Sequence, residues 1–262
     1  MKAMNAAASG MNELQKQIDT IANNLANVNT VGFKSQRVEF KDLMYQQLKN
    51  ENFVRENGDP SQIEIGNGVM SVATTRNFKS GSFKQTEKDL DFAINGDGFF
   101  VINDQYGNER YSKDGTFKLS IEDGESHLTT SSGYDVMGEN GAINLGENVA
   151  AINVAENGEI NVERSDGTEE IIDNFRLVKF SNPNGLESEG KNLYKNTDVS
   201  GEPLENNEGS AGEVWQGYLE TSNVETVEEM VNMISAQRAY ELNSKTIQTA
   251  DRMLEVANNV KR

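Results

Sequence analysis

Hydrophobic positions at the two ends of the chain recur in steps of three and four, whereas those between them recur in steps of two. Near the N-terminus Met4, Ala7, Met11, Leu14, Ile18, Ile21, Leu25 and Val28 keep the first spacing, which draws one apolar seam along a helix for about four heptads. The C-terminal end repeats it. Val227, Met230 and Ile234 begin a seam, and Ala236, Tyr240, Asn243, Ile247, Ala250, Leu254 and Ala257 resume it after one break in phase. Neither helix can bury such a stripe alone, so each is expected to pack as a coiled coil on the other or on the same helices of neighbouring copies.

The first helix is expected to reach Val28, with Gly10 as an interior weak point costing about 1 kcal/mol relative to Ala. It ends at Asn29-Thr30-Val31-Gly32, whose Asn and Gly supply turn and cap chemistry. The stretch around that end is dense in asparagine, with Asn23, Asn24 and Asn27 flanking Leu25, followed by Gly32 and Phe33. Two readings stand: a polar helix face running into a turn, or side-chain amides that tie the helix end to neighbouring subunits. The last helix is expected to open at Ser222 or Asn223 as N-cap, with Glu225, Glu228 and Glu229 at the positive end of its dipole.

Residues 33–48 show no clean period, and a short helix is predicted over 42–48. Residues 49–68 are polar and interrupted by Asn57-Gly58, Pro60, Gly66 and Gly68, marking a long loop or extended arm, either functional or a mere linker. Phe53, Val54, Ile63 and Ile65 are its few residues with apolar area to bury. From Val69 onward short alternating runs are separated by Asn95-Gly96, Asp97-Gly98, Asp114-Gly115, Asn140-Gly141, Asn157-Gly158 and Asp166-Gly167, the turn dipeptides of an antiparallel region, barrel-like or sandwich-like. The fold class is therefore α+β: an N-terminal helix (residues 1–32), an arm (33–68), an inserted β domain (69–221) and a C-terminal helix (222–262).

Charge sharpens that division. The chain of 262 residues has a net charge of −18, and by count residues 85–215 hold roughly 27 acidic against 9 basic side chains, which accounts for the whole excess. Such a field repels phosphate backbones, so nucleic-acid binding is not expected. There is no cysteine, hence no disulfide framework or thiolate chemistry. No apolar run approaches membrane-spanning length and no h-region follows Lys2, so neither membrane insertion nor a cleavable secretory signal is expected.

Catalytic and ligand chemistry is thin. His127 is the one histidine and has no partner motif for a triad or a metal. Gly96-Asp97-Gly98-Phe99 precedes a strand and lacks a third glycine, which makes it a hairpin turn and not a dinucleotide loop. Asp89, Asp91, Asn95 and Asp97 suggest calcium, but the ligand order of an EF-hand is missing. No pair of carboxylates stands out for glycoside hydrolysis. No cofactor, metal or enzymatic activity is expected.

Four stretches together carry a resemblance: residues 22–34 (ANNLANVNTVGFK), 95–100 (NGDGFF), 111–117 (YSKDGTF) and 217–224 (GYLETSNV), continued by MVNMISAQRAYELNSK at 230–245. They resemble the rod and hook axial proteins of the bacterial flagellum over nearly the whole chain. Length, the single β region and the long arm are most similar to the distal-rod members. The resemblance implies an inner tube of terminal helices, an outer layer of β domains, self-assembly into a helical polymer, and proximal-rod and hook-side axial proteins as neighbours. It further implies contact with surrounding ring proteins, export through the flagellar secretion apparatus and a place outside the cytoplasmic membrane. The alternatives are a proximal-rod or hook subunit, and, from another class, a glycan-binding or hydrolytic β domain on a coiled-coil stalk.

Overall fold

The computed structural model describes residues 2–48, 63–122, 125–147, 149–205 and 211–260. The chain is α+β, with one long helix at each end and a large antiparallel β region inserted between them. Helix α1 spans Lys2–Ala26. It stops short of Val28 because Thr30 N–H turns back to the carbonyl of Asn27 at 3.1 Å, after which Gly32 takes a left-handed φ of 66° that a side chain would resist. Helix α2 spans Thr226–Val260. Its first bond runs from Glu229 N–H to the carbonyl of Glu225 at 3.0 Å, so the helix opens later than Ser222 or Asn223, and the Asn223 amide serves elsewhere.

The fold divides into two compact units: Met1–Ala26, Gln36–Thr75 and Glu225–Arg262 make one, and Asn27–Ser35 with Arg76–Val224 the other. In the first, four strands form a long hairpin: β1 (Gln36–Asp42), β2 (Gln46–Leu48), β3 (Ile63–Ile65) and β4 (Val69–Arg76). β1 pairs with β4, and β2 with β3 antiparallel, Gln46 opposite Ile65 and Leu48 opposite Ile63. The helix predicted over 42–48 is thus replaced by strand. Val38 and Phe40 already alternate, and a ladder to a partner strand farther along the chain overrides a weak local helical pattern. Phe53 and Val54 lie outside the described residues.

In the second unit the central strand is Phe99–Asn103. One edge pairs with Glu109–Ser112; the other is shared end to end by Asp135–Gly138 and Leu177–Lys179, all antiparallel. Both of its faces are buried, which explains the unbroken run Phe99-Phe100-Val101-Ile102. Phe100 joins Phe92, Phe117, Leu128, Val136, Ile160, Phe175 and Leu177 in the larger core, while Phe99 and Val101 join Tyr111, Val178, Phe180 and Tyr194 in a second. Many aromatic rings meet edge to face, Tyr111 and Phe180 at 4.8 Å between centroids, while Phe117 and Phe175 stack. The strands Val149–Val154, Glu159–Arg164 and Glu169–Asn174 form a separate antiparallel sheet on the larger core.

Candidate assembly site

In the first unit α1 and α2 lie side by side and antiparallel. Asn24 Nδ2 donates to Glu229 Oε1 at 2.7 Å, while fourteen residues back on α1 a Cβ added to Gly10 would sit 3.1 Å from Asn243 Nδ2. Gly10 is therefore a point of close helix approach and not merely a weak spot. On α1, Ala7 and Ile21 are buried and Met4, Met11, Leu14, Ile18 and Leu25 half-buried. Val28 is half-buried beyond the helix, in the other unit.

On α2 the covered stripe runs through Glu229, Met233, Ala236, Asn243, Ile247 and Ala250 with no break in phase. Val227, Met230 and Ile234 are not on it: they are 77%, 49% and 51% exposed. At 100° per residue, Val227 and Ala236 point in opposite directions. The apparent break in the sequence pattern is a change of face. α2 begins with two apolar stripes, one toward α1 and one, completed by Val231, that nothing in the described chain covers. Tyr240 and Leu254 belong to the α1-facing stripe but stay 37% and 44% exposed, and Ala257 is exposed.

The hairpin is seated on α1 in the same unit. Lys16 Nζ bridges Glu13 Oε1 at 3.0 Å and Ser71 Oγ of β4 at 2.8 Å. Burial raises the Glu13 carboxyl, but bonds from Lys16 and Ser71 outweigh it and hold the group below the usual carboxylate range. Gly68, at φ 116°, lies so near Ser9 that a Cβ there would run into its Oγ. Ile63 and Ile65 open and close β3.

At the asparagine-rich helix end, Asn24 and Asn27 have partners within the chain. Asn24, 1% exposed, gives its amide to the carbonyl of Gln36 at 2.8 Å and accepts the Gln36 N–H at 2.9 Å. Asn27 Oδ1 accepts from Thr30 Oγ1 at 3.2 Å. Asn23 is exposed and Phe33 half-buried. Neither reading from the sequence named the use that Asn24 has, which is to dock the start of β1.

In the second unit the resemblance-bearing stretches converge. Gly32 N–H donates to the carbonyl of Glu220 at 2.9 Å, and a Cβ on Gly32 would meet Asp114 N at 2.9 Å. Lys34 Nζ pairs with Glu220 Oε1 at 2.7 Å, both residues 1% exposed. Asn223 Oδ1 accepts from Ser35 N–H at 2.8 Å, and its Nδ2 donates to the carbonyls of Asn77 and Lys79 at 2.7 and 3.0 Å. Asn192 Nδ2 holds the Val31 carbonyl at 2.9 Å. Lys113, also buried, donates to the Gly96 carbonyl at 2.6 Å and lies 5.3 Å from the centre of the Phe99 ring. Burial pushes its ammonium down to about 8, with Glu220 and Asp97 pulling up and Lys34 and Lys179 pulling down. Lys34, Lys113 and Glu220 had no signal in the sequence beyond lying inside those stretches, and Asn223 was marked only as an N-cap.

The geometry suits packing and not turnover. His127 sits in the strand Glu125–Thr130 opposite Ser120, Asp97 is held by Lys179 at 3.0 Å, and Asp91 is buried in a bridge to Thr116. Among the described residues no group of three His, Cys, Asp or Glu is placed to hold a metal, and no helix is long and apolar enough to cross a membrane.

Three family profiles match the chain: flagella basal body rod protein over residues 4–34, flagellar hook protein FlgE/F/G D1 domain over 93–162, and flagellar basal body rod FlgEFG protein C-terminal over 216–260. The flagellar basal-body rod protein FlgG of Borreliella burgdorferi is 43% identical over 100% of this chain and 99% of its own length. FlgG of Buchnera aphidicola from Acyrthosiphon pisum is 43% identical over 94% and 95%, and that of Bacillus subtilis 34% identical over the full length of both. The solved Helicobacter pylori flagellar hook protein FlgE2 overlaps 71% of this chain and 43% of its own at 18% identity, with a TM-score of 0.25. With likeness at this level from end to end, the chain belongs to the structural, non-enzymatic family of flagellar basal-body rod proteins.

Proposed function

We propose that this protein is the distal-rod subunit of the flagellar basal body, polymerising into a hollow helical shaft that carries motor torque to the hook. The observation that supports it best is the second apolar stripe of α2, Val227, Met230, Val231 and Ile234, left open after α1 is accommodated. Burying each such side chain contributes about 1.5–3 kcal/mol, and identical subunits that meet head to tail without closing build a filament. The terminal helices make the inner layer, where the seams from Met4 to Val28 and from Val227 to Ala257 pack as coiled coil within and between copies, and the acidic β region makes the outer one. The arm, through Phe53, Val54, Ile63 and Ile65, fills the space between neighbours and stiffens the shaft.

The partners on this reading are further copies of the chain, proximal-rod and hook-side axial proteins at the two ends, the ring proteins around the rod and the export apparatus that delivers it. The place is the rod, outside the cytoplasmic membrane. The test is the position of a labelled copy in isolated basal bodies. Label along the distal rod supports the assignment; label confined to the hook or the proximal rod contradicts it.

A further inference from the structure

Three segments far apart in the sequence, residues 31–35, 77–82 and 220–223, hold one another by polar contacts that no two of them complete. Lys34 Nζ is shared between Glu220 Oε1 and the Lys79 carbonyl, at 2.7 and 2.9 Å. Glu220 Oε1 also takes the Gly81 N–H at 2.8 Å. Asn77 N–H donates to the Ser35 carbonyl at 2.9 Å, Thr221 donates to the Ser82 carbonyl through both its N–H and its hydroxyl at 2.8 Å, and Asn223 bonds to both other segments. A Cβ on Gly81 would run into the Thr221 carbonyl, so the backbones are in close contact.

Remove residues 220–223 from this arrangement and the Lys34 ammonium is left buried with one neutral carbonyl. Remove residues 31–35 and the Glu220 carboxylate is left buried with one N–H. Either half-state strands a charge away from water, so the closed state and the open state are the stable ones. We propose that these segments form a strap that closes only when both ends of the chain are present: the signature segment 27–35 stays undocked until residues 220–223 arrive. A chain is supplied N-terminus first, so its N-terminal signature segment remains open until residues 220–223 are at hand. The larger core, which uses none of the three segments, folds ahead of it.

Hydrogen exchange on the full-length chain tests this. The amides of Gly32, Ser35 and Thr221 report the strap, and that of Leu128, bonded to the Ile143 carbonyl at 3.1 Å, reports the core. During refolding, pulse labelling is expected to show Gly32, Ser35 and Thr221 gaining protection in one phase after Leu128. In Glu220→Gln, exchange at Gly32 and Ser35 is expected to be on the order of 100-fold faster with Leu128 unchanged. Lys34→Met is expected to expose Thr221 to the same degree, and the double variant Lys34→Met with Glu220→Met to recover protection because neither charge remains. Protection of Gly32 and Ser35 before Thr221, unchanged exchange in Glu220→Gln, or loss of Leu128 protection together with the strap would each overturn the proposal.

Discussion

Lys34 and Glu220 stand 186 positions apart in the chain and 2.7 Å apart in the fold, a fully buried ion pair. Taking two charges out of water is costly, and their attraction repays that only with further hydrogen bonds. Gly81 N–H and the Lys79 carbonyl supply them here. Replacing Glu220 alone by Gln, or Lys34 alone by Met, is expected to destabilise the docking of segments 31–35, 77–82 and 220–223 by about 3–5 kcal/mol, and replacing both by Met by much less. Urea melts followed by Trp215 fluorescence measure this; equal losses in the single and double variants would mean the two residues are not coupled.

Lys113 gives a pH dependence whose direction is unusual. Because burial lowers its folded-state value to about 8, the unfolded chain holds the proton between about 8 and the ordinary lysine value near 10.4 while the folded chain has released it. Stability of the second unit is therefore expected to rise with pH across that window, by about 1–3 kcal/mol. Higher still it falls again: burial pushes Tyr111 up to about 12, so the unfolded chain loses the phenol proton first. Lys113→Met should abolish the rise, and urea midpoints at pH 7.5 and 9.5 for both proteins check it. The same rise in the variant would assign it to another group.

The two stripes of α2 make separable predictions. Ile234→Asp places its carboxylate in water in the monomer, so the melting midpoint should shift by no more than about 0.5 kcal/mol while polymerisation and motility are lost. Leu254→Asp, at a half-exposed position, should behave alike. Ile21→Asp, at a position only 5% exposed, should cost several kcal/mol in the monomer itself. Thermal melts beside sedimentation of assembled filaments distinguish the three; a monomer destabilised as much by Ile234→Asp as by Ile21→Asp would contradict the assignment of faces.

The arm was legible as a departure from both periods but not as a hairpin. Its strands are stabilised by partners across a long connection, and local pattern cannot report a distant ladder. Some β turns, by contrast, are written in Asn-Gly and Asp-Gly pairs, whose chemistry is local: Asn157-Gly158 and Asp166-Gly167 join paired strands, whereas the Asn95-Gly96-Asp97-Gly98 stretch, expected as a hairpin turn, and Asp114-Gly115 join strands that pair elsewhere. α1 has one apolar stripe, so its spacing leaves one choice of face. α2 has two at its start, and spacing alone does not say which of them meets α1. The strap was invisible for a further reason: a lysine and a glutamate in polar stretches read as solvated charges, and burial is set by the tertiary fold.

The hairpin clasp predicts a mechanical effect. Replacing residues 49–62 by a two-residue turn leaves the Lys16 contacts to Glu13 and Ser71 in place, and shortening a loop changes its closure cost by only about 0.6 kcal/mol per twofold change in length. The subunit should fold and polymerise. If the arm stiffens the shaft, electron microscopy should then show curved or overlong rods; straight rods of normal length would make the arm a linker.

Direct imaging of the assembled filament at side-chain resolution tests the central claim most closely. The account predicts that Val227, Met230, Val231 and Ile234, open in the single chain, are buried against α1 or α2 of a neighbouring copy around a hollow axis. Finding those four side chains facing solvent in the filament, with subunits joined through the acidic β region instead, would contradict it.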